Sequence, residues 1–210
     1  MWRLRPLSGY PLKTRKNQKI YGKEGIHLQE FVITGGIKDL IASSPLATVV
    51  DKIWGSNFAY HEDGRIARIK NVVSFTEKTR FLFNIHKGLV DDEYDKQPYA
   101  VNMFQKPKDR PVPFKNMIYL GDGPSDIPCM SVVETLSDGL GRTIGVLSEA
   151  RNRTWELSHG RRASLYVPPD YRKKQNQKWA WVTILNSVLK IAERIQDEID
   201  QEKRIPFPKY

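Results

Sequence analysis

The sequence contains a single cysteine, Cys129, and no long apolar segment. One cysteine excludes an internal disulfide and is typical of proteins from a reducing compartment. No run approaches the roughly 18–20 apolar residues that cross a membrane, and residues 1–19 are basic without the apolar core of a secretory signal. With 210 residues, of which 40% are hydrophobic, the chain is long enough for one domain with its own core. We therefore predict a cytoplasmic protein with no membrane partner.

Acidic residues are absent before Glu24, and the net charge of +10 is unevenly distributed. Two basic clusters can contact nucleic acid or another polyanion, or they can be a solvated tail and an exposed loop. No zinc-finger spacing, aromatic RNA-binding pattern or heptad-backed basic helix is present, so we expect no nucleic-acid partner. A non-catalytic anion- or nucleic-acid-binding protein is kept as the alternative function. The clusters are Arg3, Arg5, Lys13, Arg15, Lys16 and Lys19, and Arg161, Arg162, Arg172, Lys173, Lys174 and Lys178.

Short apolar segments alternate with helix-like segments along the chain. Residues 31–33 and 117–120 are apolar runs that each end in a glycine-rich turn, and residues 182–199 have apolar side chains at helical spacings of three and four, from Val182, Leu185 and Leu189 onward. This alternation predicts an α/β fold with a mostly parallel sheet. The other predicted elements are strands at 51–60, 66–73, 143–147 and 166–169, helices at 37–43, 77–84 and 127–136, a turn at 61–65 and a loop at 90–110.

Polar residues follow the first of these apolar runs. Thr34, Gly35 and Gly36 lie between the predicted strand and a predicted helix. In open α/β sheets, ligands bind beyond the carboxyl ends of the strands. A hydroxyl and backbone N–H groups at a helix start can hold a phosphate oxygen. The same three residues can also be a plain turn with an N-cap.

The second apolar run leads into a more specific pattern. Residues 121–126 read Gly-Asp-Gly-Pro-Ser-Asp, so that Asp122 and Asp126 enclose a turn directly after a buried strand. Oxygen ligands of this kind suit Mg²⁺, which takes one or two protein carboxylates and keeps several waters. The alternative is an Asp-Gly turn in which Asp126 caps the next helix.

These residues resemble the motifs of haloacid dehalogenase (HAD) superfamily hydrolases. Residues 121–126 are similar to the acidic fourth motif, Thr34 to the hydroxyl of the second and Lys78 to the lysine of the third, in the family's order within residues 21–147. The likeness is greatest to phosphoserine-phosphatase-like members. It implies a three-layer Rossmannoid fold, an Mg²⁺-dependent phosphatase with an aspartyl-phosphate mechanism, and a small phosphorylated substrate.

The resemblance also implies roles for individual residues. Lys78 and Thr34 would be catalytic, and both would bind phosphate together with Gly35. Asp122 and Asp126 would bind the metal. Lys87 is the competing candidate for the third-motif lysine, and the residues around Lys78 fit the family pattern better.

The family's first motif, Asp-x-Asp-x-Thr, is absent. It supplies the aspartyl nucleophile and the adjacent acid/base. The first aspartate here is Asp39, after Thr34, and no Asp-x-Asp pair occurs in the chain. The central strand and the cap that accompany this motif in the family would be missing too, so we expect no activity from this chain alone. It would be a truncated product, half of a split protein completed by an N-terminal segment or second chain carrying the motif, or an inactive descendant that binds anionic partners.

A missing central strand has consequences for the architecture. The strands at 31–33 and 117–120 would face each other across a gap of roughly 9–10 Å. We expect these two strands to pair directly, rather than to recruit residues 20–30 or another chain, and we expect Thr34, Lys78, Asp122 and Asp126 to converge at one sheet edge. The predicted domains are a basic segment at 1–20, whose order the sequence leaves open, a partial HAD-like core at 21–203 and a tail at 204–210.

Overall fold

The computed structural model describes residues 2–6, 26–147, 160, 162–169 and 180–204. Within these ranges the chain forms seven strands, four α-helices and several short 3-10 turns. The strands are β1 (Trp2–Pro6), β2 (Ile26–Ile37), β3 (Lys52–Tyr60), β4 (Ile66–Asn71), β5 (Met117–Gly121), β6 (Arg142–Val146) and β7 (Leu165–Val167). The helices are α1 (Lys38–Ala42), α2 (Phe75–Lys87), α3 (Ile127–Leu136) and α4 (Ala180–Arg204).

The strands form one mixed sheet in the order β4-β3-β2-β1-β5-β6-β7. The pairs β2–β3, β5–β6 and β6–β7 are parallel, whereas β3–β4 and both pairs made by β1 are antiparallel. The predicted α/β fold is confirmed. None of the helices in the described residues is long and apolar enough to span a membrane.

The centre of the sheet differs from the expected direct pairing of β2 with β5. β1 lies between them and pairs with β2 from Trp2↔Glu30 to Pro6↔Ile26. On its other side it pairs with β5 at Trp2↔Ile118 and Arg3↔Met117. The N-terminal segment therefore supplies the backbone partners that the two strands would otherwise lack, which is favourable because each unsatisfied buried group costs about 1–3 kcal/mol. Residues 2–6 of the predicted basic segment are thus part of the sheet, and residues 7–20 lie outside the described residues.

Two apolar layers cover the two faces of the sheet. Successive residues of a strand point to opposite faces, so Met117 and Tyr119 belong to the core beneath α2 and α3. Ile118 and Leu120 belong to the core beneath α4. The result is a three-layer arrangement of helices, sheet and helix, as the resemblance implied.

Helix α2 has clear signals at both ends. The Ser74 hydroxyl accepts a hydrogen bond from the Glu77 backbone N–H at 3.3 Å, as an N-cap. Gly88 ends the helix in the left-handed conformation, with φ of 77°. Lys78 therefore lies in the first turn, near the carboxyl ends of the parallel strands, and Lys87 lies in the last turn.

Candidate functional site

The carboxyl end of β5 is shaped by a glycine. A Cβ atom on Gly121 would lie 2.4 Å from the Asp126 Cβ and 2.7 Å from its Cγ. Real atoms do not approach so closely, so only glycine lets the Asp126 side chain fold back against the strand. The turn over residues 121–126 thereby brings the Asp126 carboxylate back to the end of β5, where the Asp122 side chain is exposed.

The Asp126 carboxylate is buried and fully used as a hydrogen-bond acceptor. Its Oδ1 accepts from the Lys78 Nζ at 2.8 Å and from the Tyr119 hydroxyl at 2.7 Å. Its Oδ2 accepts from the backbone N–H groups of Asp122 at 3.1 Å and Gly123 at 3.3 Å. These four bonds join α2, β5 and the turn, so Asp126 acts as an anchor for all three.

Lys78 forms a buried ion pair with this anchor. The side chains of Lys78 and Asp126 are only 9% and 7% exposed. The Lys78 Nζ also donates to the Ser125 hydroxyl at 3.0 Å. The ammonium group is thus held at the sheet edge by two oxygen atoms of the motif turn. A compact positive charge in this position can offset the charge of a bound anion.

Tyr119 and Cys129 complete the cluster, and neither was predicted from the sequence. Burial and the negative charge of Asp126 raise the pKa of Tyr119, so its hydroxyl keeps its proton and donates. Burial raises the pKa of Cys129 to about 11, so its thiol is protonated at neutral pH and is not a nucleophile. The only sequence signal for Tyr119 was its position in the strand, which places its side chain on the same face of the sheet as Met117 and so in the core.

Thr34 lies within β2, where the register with β3 shifts between Ile33 and Ile37. Its Oγ1 accepts a hydrogen bond from the Gly36 backbone N–H at 2.9 Å. A Cβ on Gly35 would lie 3.2 Å from the carbonyl oxygen of Val73, so this part of β2 packs against the segment that leads into α2. The strand therefore does not end before Thr34, as the sequence pattern predicted, and α1, which follows it, has only five residues. A helix that short contributes little to holding an anion near Thr34.

The sheet register relates Thr34 to Asp122. Trp2 pairs with both Glu30 and Ile118, and Thr34 and Asp122 each lie four residues beyond those partners. Because β2 and β5 run in the same direction, both residues lie at the same edge of the sheet. β1 separates their strands by two strand spacings, roughly 10 Å. Their convergence on a single ligand stays a prediction.

The two candidate lysines have different surroundings. Lys78 contacts the motif turn, whereas the Lys87 Nζ donates to the carbonyl oxygens of Val101 and Met103 in the loop after α2. Lys87 therefore braces a loop at the other end of the helix. Of the two lysines, Lys78 is the one that contacts the turn over residues 121–126.

The donor set offers limited support for a magnesium ion. In the described ranges, no group of three or more His, Cys, Asp or Glu side chains is arranged to hold a metal. Both oxygens of Asp126 already accept hydrogen bonds. A single carboxylate can hold Mg²⁺ when waters and a substrate phosphate supply the other ligands. Metal binding by Asp122 or Asp126 therefore stays a prediction.

Known proteins match this chain in part. No protein-family model matches the sequence. An uncharacterised protein of Borreliella burgdorferi is 25% identical over 171 residues, covering 75% of this chain and 57% of that protein. A solved structure of a probable phosphoserine phosphatase from Vibrio cholerae matches with 13% identity and a TM-score of 0.39, covering 80% of this chain and 39% of its own. The chain thus spans just over half the length of one relative and well under half of the other.

Proposed function

We propose that this chain carries the phosphate- and magnesium-binding residues of a HAD-type phosphomonoester hydrolase and has no turnover by itself. The observation that supports the proposal best is the buried Lys78–Asp126 pair at the carboxyl end of β5. A buried ion pair is costly unless it is well hydrogen-bonded, and this one is held by Tyr119, Ser125 and the motif turn. Such an arrangement keeps a lysine ammonium fixed at a sheet edge, which is useful for binding an anion.

Each proposed role follows from the placement of the residue. Lys78 offsets the charge of a phosphoryl group, and the Thr34 hydroxyl with the Gly35 backbone N–H binds its oxygens. Asp122 holds the Mg²⁺, with Asp126 fixing the turn that presents it. When bound, the metal would neutralise charge on the phosphoryl oxygens.

The missing step is the nucleophilic one. Formation of an aspartyl-phosphate requires a carboxylate that attacks phosphorus, and a second group to protonate the leaving alcohol. The chain has no Asp-x-Asp pair. In addition, the central strand β1 runs antiparallel to β2 and β5, so its carboxyl end at Pro6 points to the opposite edge of the sheet. Turnover would therefore need the first motif from another segment or a second chain.

The first test is binding without turnover. Isothermal titration of the purified chain with inorganic phosphate should show Mg²⁺-dependent binding that Asp122→Asn and Lys78→Ala each abolish. Asp138→Asn and Lys190→Ala, which change exposed residues on other elements, should leave it intact. A generic aryl phosphate should not be hydrolysed. Hydrolysis that Asp122→Asn removes would contradict the claim that the nucleophile is missing.

The alternative, a non-catalytic polyanion-binding protein, predicts a different result. Binding through the basic clusters would need no Mg²⁺, would survive Asp122→Asn and would weaken steeply with added salt. The basic clusters fall largely in parts of the chain that the structure does not describe. Titration with and without Mg²⁺ at two salt concentrations therefore separates the two functions.

A further inference from the structure

The Asp126 carboxylate has a partner that belongs to none of the motifs. The Tyr119 hydroxyl donates to Asp126 Oδ1 at 2.7 Å, and Lys78 Nζ donates to the same oxygen. Tyr119 comes from the middle of β5, where the sequence pattern asks only for an apolar side chain. The tyrosine places a hydroxyl within the core, and that hydroxyl is directed at the candidate site.

The position of this hydroxyl is well fixed. The Tyr119 side chain is 3% exposed and packs in the core beneath α2 and α3. A tyrosine hydroxyl has one proton to donate. Asp126 bears only acceptors when ionised. The bond can therefore have only one direction, from Tyr119 to Asp126.

We propose that Tyr119 is a positioning residue of the candidate site, whose hydroxyl fixes the Asp126 carboxylate and thereby the Lys78 ammonium and the turn that carries Asp122. The inference rests on the proposed function. Without the hydroxyl, Oδ1 keeps only Lys78, a side chain with four flexible methylene groups. The Oδ2 bonds to the Asp122 and Gly123 backbones, at 3.1 and 3.3 Å, are the longer ones. The carboxylate would then keep three of its four hydrogen bonds and be held less firmly, and the positions of Lys78 and the turn would shift with it.

The test is Tyr119→Phe in the full chain, which removes the hydroxyl and keeps the ring. The matched control is Tyr60→Phe, because the Tyr60 hydroxyl, at the exposed end of β3, also donates to a carboxylate, that of Asp39 in α1. The first readout is the dissociation constant for inorganic phosphate in Mg²⁺. Loss of one positioning hydrogen bond should weaken binding about two- to tenfold in Tyr119→Phe and leave the control unchanged.

A second readout needs no phosphate. The Lys78 ammonium signal, assigned with Lys78→Arg, and the Asp122 and Gly123 amide signals are followed by ¹⁵N NMR. All three should shift in Tyr119→Phe and stay in place in Tyr60→Phe. A wild-type chain that binds no phosphate would remove the proposed function, and Tyr119 would then be judged on these signals alone.

Two outcomes would overturn the inference. One is a lower melting temperature of Tyr119→Phe with unchanged phosphate affinity, since that is the result of a purely structural role. The other is a Lys78 ammonium signal that is identical in the wild type and the variant.

Discussion

At the scale of single residues, the site depends on how closely atoms can approach at the end of β5. Gly121 has no room for a Cβ because the Asp126 side chain lies against it. Gly123, two residues later, has open space around it and an extended backbone with φ of −159°. The two glycines of one short motif therefore have different functions, which the sequence alone does not distinguish.

This difference predicts the effect of two alanine substitutions. Gly121→Ala should lower the free energy of unfolding by about 1–3 kcal/mol, because the new methyl group overpacks against Asp126, and should weaken phosphate binding as the turn shifts. Gly123→Ala should change stability little. Urea unfolding of both variants measures the contrast. Equal stability of the two would mean that Asp126 does not lie against the strand.

A second residue-level prediction concerns the buried ion pair. Asp126→Ala removes the acceptor of the Lys78 ammonium, which is buried, and leaves a charge without compensation. The expected cost is about 3–5 kcal/mol of unfolding free energy. Asp63→Ala, which breaks the exposed pair of Asp63 with Arg65, should cause no measurable loss.

The double variant Asp126→Ala with Lys78→Met provides the check on that interpretation. If the loss comes from an uncompensated charge, removal of the lysine should restore part of the stability. Additive losses in the double-mutant cycle would instead mean that the two side chains do not interact.

At the scale of elements, strands whose neighbours are close in sequence were easier to predict than β1. The turn at 61–65 joins β3 to β4, with the His61 N–H bonded to the Arg65 carbonyl, as its composition indicated. In the predicted apolar stripe of α4, Ala192 and Ile195 are buried and Ile199 packs against the core. In the first half of the helix Ile184, Val188 and Ile191 are buried instead, and the predicted Val182, Leu185 and Leu189 are half-buried. Apolar residues cover more than one stripe of that helix, and only the packed sheet selects which stripe is buried.

The junction between α2 and the following loop predicts a pH dependence. The His86 Nδ1 donates to the Val112 carbonyl at 2.6 Å, and the ring stacks on Phe114 at 4.5 Å. Burial lowers the pKa of His86, and the positive charge of Arg110 adds to this. As the pH falls below about 6.5, His86 is therefore protonated in the unfolded chain before it is protonated in the folded protein. The contribution of the neutral His86 ring to stability is complete above that pH, and it is lost as the pH falls through the lower pKa of the folded state.

The measurement is the unfolding free energy between pH 7 and pH 5. His86→Gln removes the titrating group, so its stability should vary less with pH over this range than that of the wild type. His61→Gln, at an exposed position, is the control and should keep the wild-type slope. An unchanged slope in His86→Gln would show that another group is responsible.

At the scale of the whole molecule, the sequence predicted the two motif strands and the layers but not what lies between them. β1 contains two arginines and a proline in five residues, a composition that does not indicate a central strand. Its partners begin at residues 26 and 117, so its pairing is non-local and no turn signal indicates it. Tyr119 was missed for a related reason, since its polar function depends on Asp126 being folded back by Gly121.

The central position of β1 predicts that its backbone is required for the fold. Trp2 and Arg3 are adjacent and each pairs with both β2 and β5, so their N–H groups point in opposite directions, one toward β2 and one toward β5. Replacing both with proline removes both donors. The carbonyl groups they serve would be left unsatisfied at about 1–3 kcal/mol each. Because the whole stability of a domain is only about 5–15 kcal/mol, the variant should lose the centre of its sheet and aggregate through the exposed edges.

A variant with valine at the same two positions keeps both N–H groups and should stay folded. Hydrogen exchange at Leu28, Ile33, Ile118 and Tyr119 measures the difference: strong protection in the wild type and the valine variant, and rapid exchange in the proline variant. Equal protection in all three would mean that β2 and β5 are held together without β1, as the direct pairing expected from the sequence requires.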